Sequence, residues 1–125
     1  MRGIGWAGGV KRLWRAAINS WNGLVAVTRS EASFRQELML LAISIPLALV
    51  LTDNLAKRFV LVGLIVFILI VELLNTAIEK LGDRITRKND PAIKTIKDMG
   101  SAAIGLSLLA AGAVWIWVAV ERFWP

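Results

Sequence analysis

Three apolar runs, 38–52, 59–78 and 101–120, limit what this chain can become more than any other feature of it. The second and third hold about 20 residues each, roughly 30 Å of helix, enough to cross the hydrocarbon core of a bilayer. The first is shorter and is completed upstream by Ala32, Ser33 and Phe34, with Arg35, Gln36 and Glu37 as polar interruptions at its entry. Inside a bilayer every backbone N–H and C=O must be satisfied within the segment, so runs of this length and spacing predict helices. Pro46 should kink or locally unwind the first of them.

Upstream of the runs, Val10, Leu13, Trp14, Ala17, Ile18, Trp21, Leu24 and Val25 recur at three- and four-residue spacing, opposite Lys11, Arg12, Arg15, Asn19, Ser20 and Asn22. A tryptophan-rich stripe backed by basic residues predicts an amphipathic helix lying in the headgroup plane. The expected plan is a single all-α membrane domain. It has a flexible leader over 1–9, a surface helix over 10–30 and transmembrane helices over about 32–52, 59–80 and 98–120. The leader contains Gly3-Ile4-Gly5-Trp6-Ala7-Gly8, formally a G-x-G-x-x-G. No strand precedes it, so the dinucleotide-binding reading fails, and no apolar core or cleavage site makes it a signal peptide.

Lysine and arginine set the expected orientation. The segment through Arg35 carries six, 53–58 two, 80–100 six and the C-terminal tail one. The positive-inside rule then puts the N-terminus and the 80–100 loop in the cytoplasm and the C-terminus outside, in the periplasm if the membrane is a bacterial inner membrane. The net charge of +6 accompanies tryptophans and phenylalanines placed for lipid, and nucleic-acid binding is not expected.

With no cysteine and no histidine, any chemistry must use carboxylates, lysines, arginines or backbone. The second span supplies Glu72, Asn75 and Glu79, with Asp83 just beyond, and helical periodicity places all four within about 80° on one face. A carboxylate inside an apolar run costs roughly 3 kcal/mol on insertion scales and usually marks function. Because the topology brings three helix entries to one boundary, Glu31, Glu79 and Asp98 can converge there with Arg12 and Lys97. That is a donor set suited to a Mg²⁺-polyphosphate. A helix start at Asp98 to Gly100 would add free N–H groups for an anion. No P-loop or protein-kinase signature is present.

Three stretches carry a resemblance: Glu31-Ala32-Ser33-Phe34-Arg35-Gln36-Glu37, Val71-Glu72-Leu73-Leu74-Asn75-Thr76-Ala77-Ile78-Glu79, and Lys97-Asp98-Met99-Gly100-Ser101-Ala102-Ala103. In this order, and over nearly the whole chain from about Arg12, they resemble the three signatures of the prokaryotic diacylglycerol kinases. The resemblance implies a homotrimeric inner-membrane enzyme with sites shared between subunits. Such an enzyme transfers the γ-phosphoryl group of MgATP to the primary hydroxyl of sn-1,2-diacylglycerol, giving phosphatidic acid. By the same resemblance Glu72 is the general base, Glu31 and Glu79 hold Mg²⁺, and Arg12, Lys97 and Asp98 contact nucleotide. Asn19 stands where the family carries a nucleotide-contacting aromatic. Arg12, Glu37, Asn75 and Ser101 shape the lipid-substrate side, and Ser101, Gly105 and Gly112 form a close-packing row. Glu72, drawn furthest from water, suits proton uptake near neutral pH, while Glu79 stays ionised for metal. An undecaprenol kinase on the same scaffold is the nearest alternative. A proton-coupled transporter is a second, but it would need a path through 59–70, which is apolar throughout.

Overall fold

The computed structural model describes residues 6–124, which form four helices: α1 (Trp6–Ser30), α2 (Ala32–Leu51), α3 (Leu55–Ile85) and α4 (Pro91–Phe123). No strand occurs among the described residues, and α2, α3 and α4 are each long and apolar enough to cross a membrane. The chain divides after Ala32 into two compact units.

The first unit is built on α1. The described part of this helix begins at Trp6, which continues the Val10, Leu13 and Trp14 stripe one turn earlier and takes Gly8 and Gly9 into helix. The expected flexible leader is therefore helical over residues 6–9, and its residues 1–5, with the first part of the glycine motif, lie outside the described residues. Trp14 and Trp21 stand well exposed. The Ser20 and Thr28 hydroxyls donate back to the Ala16 and Leu24 carbonyls, 2.8 and 2.6 Å away, which satisfies both groups within the helix.

In the second unit α2, α3 and α4 run up, down and up, joined by short turns at 52–54 and 86–90. The α2 helix is unbroken across Pro46: the missing N–H removes one backbone bond without ending the helix. In α3, Asn54 caps the first turn by accepting from the Lys57 N–H at 3.0 Å. Its 31 residues give roughly 45 Å of helix, so its polar end projects beyond an apolar layer.

The start of α4 departs from expectation. Asp90 Oδ1 accepts from the Ala92 and Ile93 N–H groups at 2.9 and 3.2 Å, and Pro91 takes the first helical position, where a missing N–H costs nothing. The helix thus begins seven residues before Asp98. Asp98 to Gly100 lie inside it, and the anion site expected from free N–H groups there does not exist. The Asp-Pro start signal sets the boundary, and Lys94, Thr95 and Lys97 are carried in helix ahead of the apolar run.

Two apolar clusters hold the three helices together. Ala48, Leu61 and Val118 meet near one end, and Ile65, Ile68 and Ala111 pack nearer the middle, with Trp115 against both. Trp115 Nε1 donates to the Leu61 carbonyl at 3.0 Å, giving a polar atom in the apolar layer its partner. Large side chains such as Phe59, Leu109 and Ile116 remain exposed, a surface that suits lipid and would be a liability in water. At the cluster end, Lys57 pairs with Glu121 at 2.9 Å, its ammonium 6.0 Å from the Trp117 ring centroid.

Replacing the α4 cap, Asp90→Ala, should cost about 1 kcal/mol of stability, and Asp90→Asn should keep most of it. Unfolding in mixed micelles, followed by tryptophan fluorescence against added denaturing detergent, reads the difference.

Candidate active site

The polar face of α3 turns inward at the end opposite the Trp117 pair. Glu72 and Asn75 are buried, at 7% and 9% exposure, within an otherwise apolar stretch. Burying a polar group without a partner costs on the order of 1–3 kcal/mol in proteins, more for a charge, so what each one meets decides whether the face is tolerable.

Glu72 meets α2. The Ser33 hydroxyl, in the first turn of that helix, donates to Glu72 Oε1 at 2.5 Å. One turn on, Glu37 turns the same way, within electrostatic reach of Glu72, and its Oε2 is buried without a hydrogen-bond partner. Phe34, 2% exposed, anchors this turn of α2.

Asn75 meets α4. Its Nδ2 donates to Glu79 Oε1 at 3.3 Å, and its buried Oδ1 lacks a conventional donor. That oxygen presses against Gly100, where an added Cβ would overlap it; only a residue without a side chain admits the amide here. The facing Cα–H offers Oδ1 a weak hydrogen bond of about 0.5–1 kcal/mol.

Further along, Lys97 Nζ on α4 reaches Asp83 Oδ1 on α3 at 2.5 Å. Asp83 lies past the apolar run of α3. Its carboxyl is held below the usual carboxylate range first by this hydrogen bond, then by the charges of Lys97 and Arg87. The Lys97 stem crosses Gly82, where a Cβ would stand 3.1 Å from Lys97 Cε and 3.3 Å from Ile93 Cγ2. Beside this bridge a cavity of about 450 Å³ is lined by Arg87, Lys88, Asp90, Lys94 and Lys97 among others, a largely cationic hollow at the turn between the helices. Asp98 is exposed and pairs along its own helix with Lys94 at 2.7 Å.

The residues singled out in the sequence therefore fall into groups. Glu72, Asn75, Glu79 and Glu37 share one corner of the second unit. Lys97 bridges to Asp83, Asp98 pairs with Lys94, and Ser101 is exposed on α4. A Cβ added at Gly105 or Gly112 would meet nothing within 4 Å, although Gly112 also lines a hollow that α4 forms with α2 and α3. Arg12 and Asn19 are exposed about two turns apart on one face of α1, and Glu31 directly follows that helix, all within the first unit. Sequence reasoning missed Ser33 as a partner of Glu72. The available signal was its position four residues before Glu37, which puts both on one helix face.

Among the described residues no three acidic side chains gather into a metal cage. Mg²⁺ does not require one, since it is commonly held by one or two carboxylates together with substrate phosphates and water. Glu79 fits that use: it is exposed, and its one contact on this face is the long bond from Asn75.

A family model described as prokaryotic diacylglycerol kinase matches residues 18–119. The chain belongs to that family. It is 39% identical over 107 residues to a diacylglycerol kinase of Pseudomonas aeruginosa, covering 86% of this chain and 87% of the relative. It is 36% identical over 107 residues to that of Escherichia coli K12, covering 86% and 88%, and 36% identical over 113 residues to one from Helicobacter pylori, covering 87% and 85%. The matched stretch of the family contains every residue of the α3 face and the α4 residues around it; Arg12 lies before it.

Gly100→Ala should drive Asn75 out of its seat and lower stability by about 1–3 kcal/mol, the usual cost of overpacking. Adding Asn75→Ala should recover most of that loss. Detergent-denaturation midpoints of the single and double variants test the contact, and independent, additive losses would contradict it.

Proposed function

We propose that this chain phosphorylates diacylglycerol with MgATP, giving phosphatidic acid and ADP, with Glu72 as the base that takes the hydroxyl proton. Membership of the prokaryotic diacylglycerol kinase family, together with relatives that carry the name diacylglycerol kinase, supports the reaction. The observation that carries the residue assignment is a carboxylate buried in a membrane-spanning helix at the edge of its polar end, with a hydroxyl donating to it.

The chemistry follows from depth. A lipid alcohol sits at the boundary between acyl chains and headgroups, and Glu72 lies where α3 changes from apolar to polar. The alcohol oxygen attacks the γ-phosphorus as Glu72 accepts its proton, the bond to the β–γ bridging oxygen breaks, and ADP leaves. Positioning and charge neutralisation supply most of the rate in phosphoryl transfer. Lys97, beside the cationic hollow, is placed to neutralise phosphate charge, and Arg12, Asn19 and Asp98 are the remaining nucleotide contacts of this reading. Glu79 with Glu31 would hold Mg²⁺, which when bound offsets charge on the phosphate oxygens. Glu37, Asn75 and Ser101 shape the lipid side.

In the same reading the protein is a homotrimer of the bacterial inner membrane, with the polar end of α3 and the N-terminus cytoplasmic and the C-terminus periplasmic. The lysine and arginine distribution supports the orientation. Gly105 and Gly112, open within this chain, support a helix approach from a second subunit.

Purified protein in mixed micelles with MgATP should phosphorylate diacylglycerol well ahead of undecaprenol offered side by side. Glu72→Gln should lower kcat by roughly 10²–10⁴-fold while the protein stays folded. Full activity of Glu72→Gln would remove the base assignment, and preference for undecaprenol would change the substrate.

A further inference from the structure

We infer that Ser33 is a positioning residue for the reaction: its hydroxyl, donated to Glu72 Oε1, fixes the carboxylate in the orientation from which the other oxygen can take the substrate proton. The inference rests on the assignment of Glu72 as base. It also names a residue of this chain that the signatures leave unassigned.

The geometry starts with the helix register. Ser33 lies in the first turn of α2 and Glu72 near the middle of α3, and the antiparallel packing of the two helices brings them level. Among the described residues, the hydrogen bond made by the Glu72 side chain is the one from Ser33, at 2.5 Å. A glutamate has three side-chain torsions, and a donor at hydrogen-bond distance in an apolar layer selects the rotamer that meets it. Phe34 keeps the donor in place, because its buried ring pins the same turn of α2. Glu37 lies on the same face one turn away, and its buried Oε2 has no hydrogen-bond partner among the described residues.

The hydroxyl is also a neutral partner. It satisfies one carboxylate oxygen without neutralising the group, leaving the second oxygen and its lone pairs for the alcohol. An arrangement that only bound helices together would consume both oxygens or would work equally well with any small polar pair at this contact.

The test is steady-state kinetics of full-length Ser33→Ala and Ser33→Thr in mixed micelles, beside Glu72→Gln, each normalised to folded protein by near-ultraviolet circular dichroism. Ser33→Ala should lower kcat roughly tenfold, the range of a hydrogen bond to a charged group, with KM for MgATP unchanged. Ser33→Thr, which keeps a hydroxyl, should restore most of kcat. A purely structural contact would instead reduce the folded fraction and leave kcat per folded protein unaltered. Wild-type kcat in Ser33→Ala, or an equal loss in Ser33→Ala and Ser33→Thr, overturns the inference. The two readings separate cleanly: if Glu72→Gln is inactive while Ser33→Ala keeps wild-type kcat, only the role of Ser33 falls. If Glu72→Gln is active, the base assignment falls first.

Discussion

The second unit is organised by the need to partner the polar side chains that α3 carries into an apolar layer, Glu72 and Asn75 above all. Glu72 and Asn75 are a turn apart on a helix whose neighbouring positions are mostly leucine, isoleucine and valine, and both are buried. Each is met by a different neighbour in a different way. For Glu72, α2 supplies a hydroxyl; for Asn75, α4 supplies the absence of a side chain at Gly100. These contacts fix the register of three helices at one end, as Trp115 on the Leu61 carbonyl and the Lys57–Glu121 pair fix it at the other. Leucine and isoleucine contacts alone tolerate sliding, because one apolar contact replaces another at similar energy; a hydroxyl on a carboxylate does not slide.

The same constraint gives the bundle its polarity. The cluster of Ala48, Leu61 and Val118 lies near an end rich in tryptophan, and the buried carboxylate lies near an end rich in lysine, arginine and aspartate. Between them α3 changes character within two turns, from Ile70 to Glu79. In the proposed reaction this gradient lets one helix serve two solvents, holding a lipid alcohol at its apolar edge and leaving nucleotide in water.

The helical class, the spans and the inward polar face of α3 were legible in the sequence because they depend on run length and on periodicity, which are properties of one segment at a time. What was not legible depends on how segments meet. Asp90 and Pro91 form a local start signal, but residues 91–97, interrupted by two lysines ahead of the long apolar run, read as loop; only the cap geometry shows that α4 already contains them. Asp98 and Lys97 are adjacent in sequence, yet about 100° apart on the helix, so one pairs with Lys94 along α4 and the other crosses to Asp83 on α3. Ser33 reads as one small residue completing a short apolar run, and its value comes entirely from the α2–α3 register. Gly100 likewise sits inside a recognisable motif whose sequence does not reveal that Asn75 fills the space its missing side chain leaves.

A cation in the place of Ser33 would have been the stronger partner for a buried carboxylate and the poorer choice for a base. Lysine or arginine within hydrogen-bond distance stabilises the ionised form by charge as well as by geometry, and the proton affinity that a general base needs falls accordingly. A hydroxyl holds the carboxylate by geometry without adding a charge beside it. Four cations of this unit gather at the α3–α4 turn: Lys97 is engaged by Asp83, Lys94 by Asp98, and Arg87 and Lys88 line the hollow there. In the proposed mechanism that segregation is functional, because positive charge is needed where phosphate oxygens gather and is harmful where a proton must be taken up. Asp83 contributes to it by holding Lys97 on the side of the helix pair that faces the turn, one helical stretch away from Glu72.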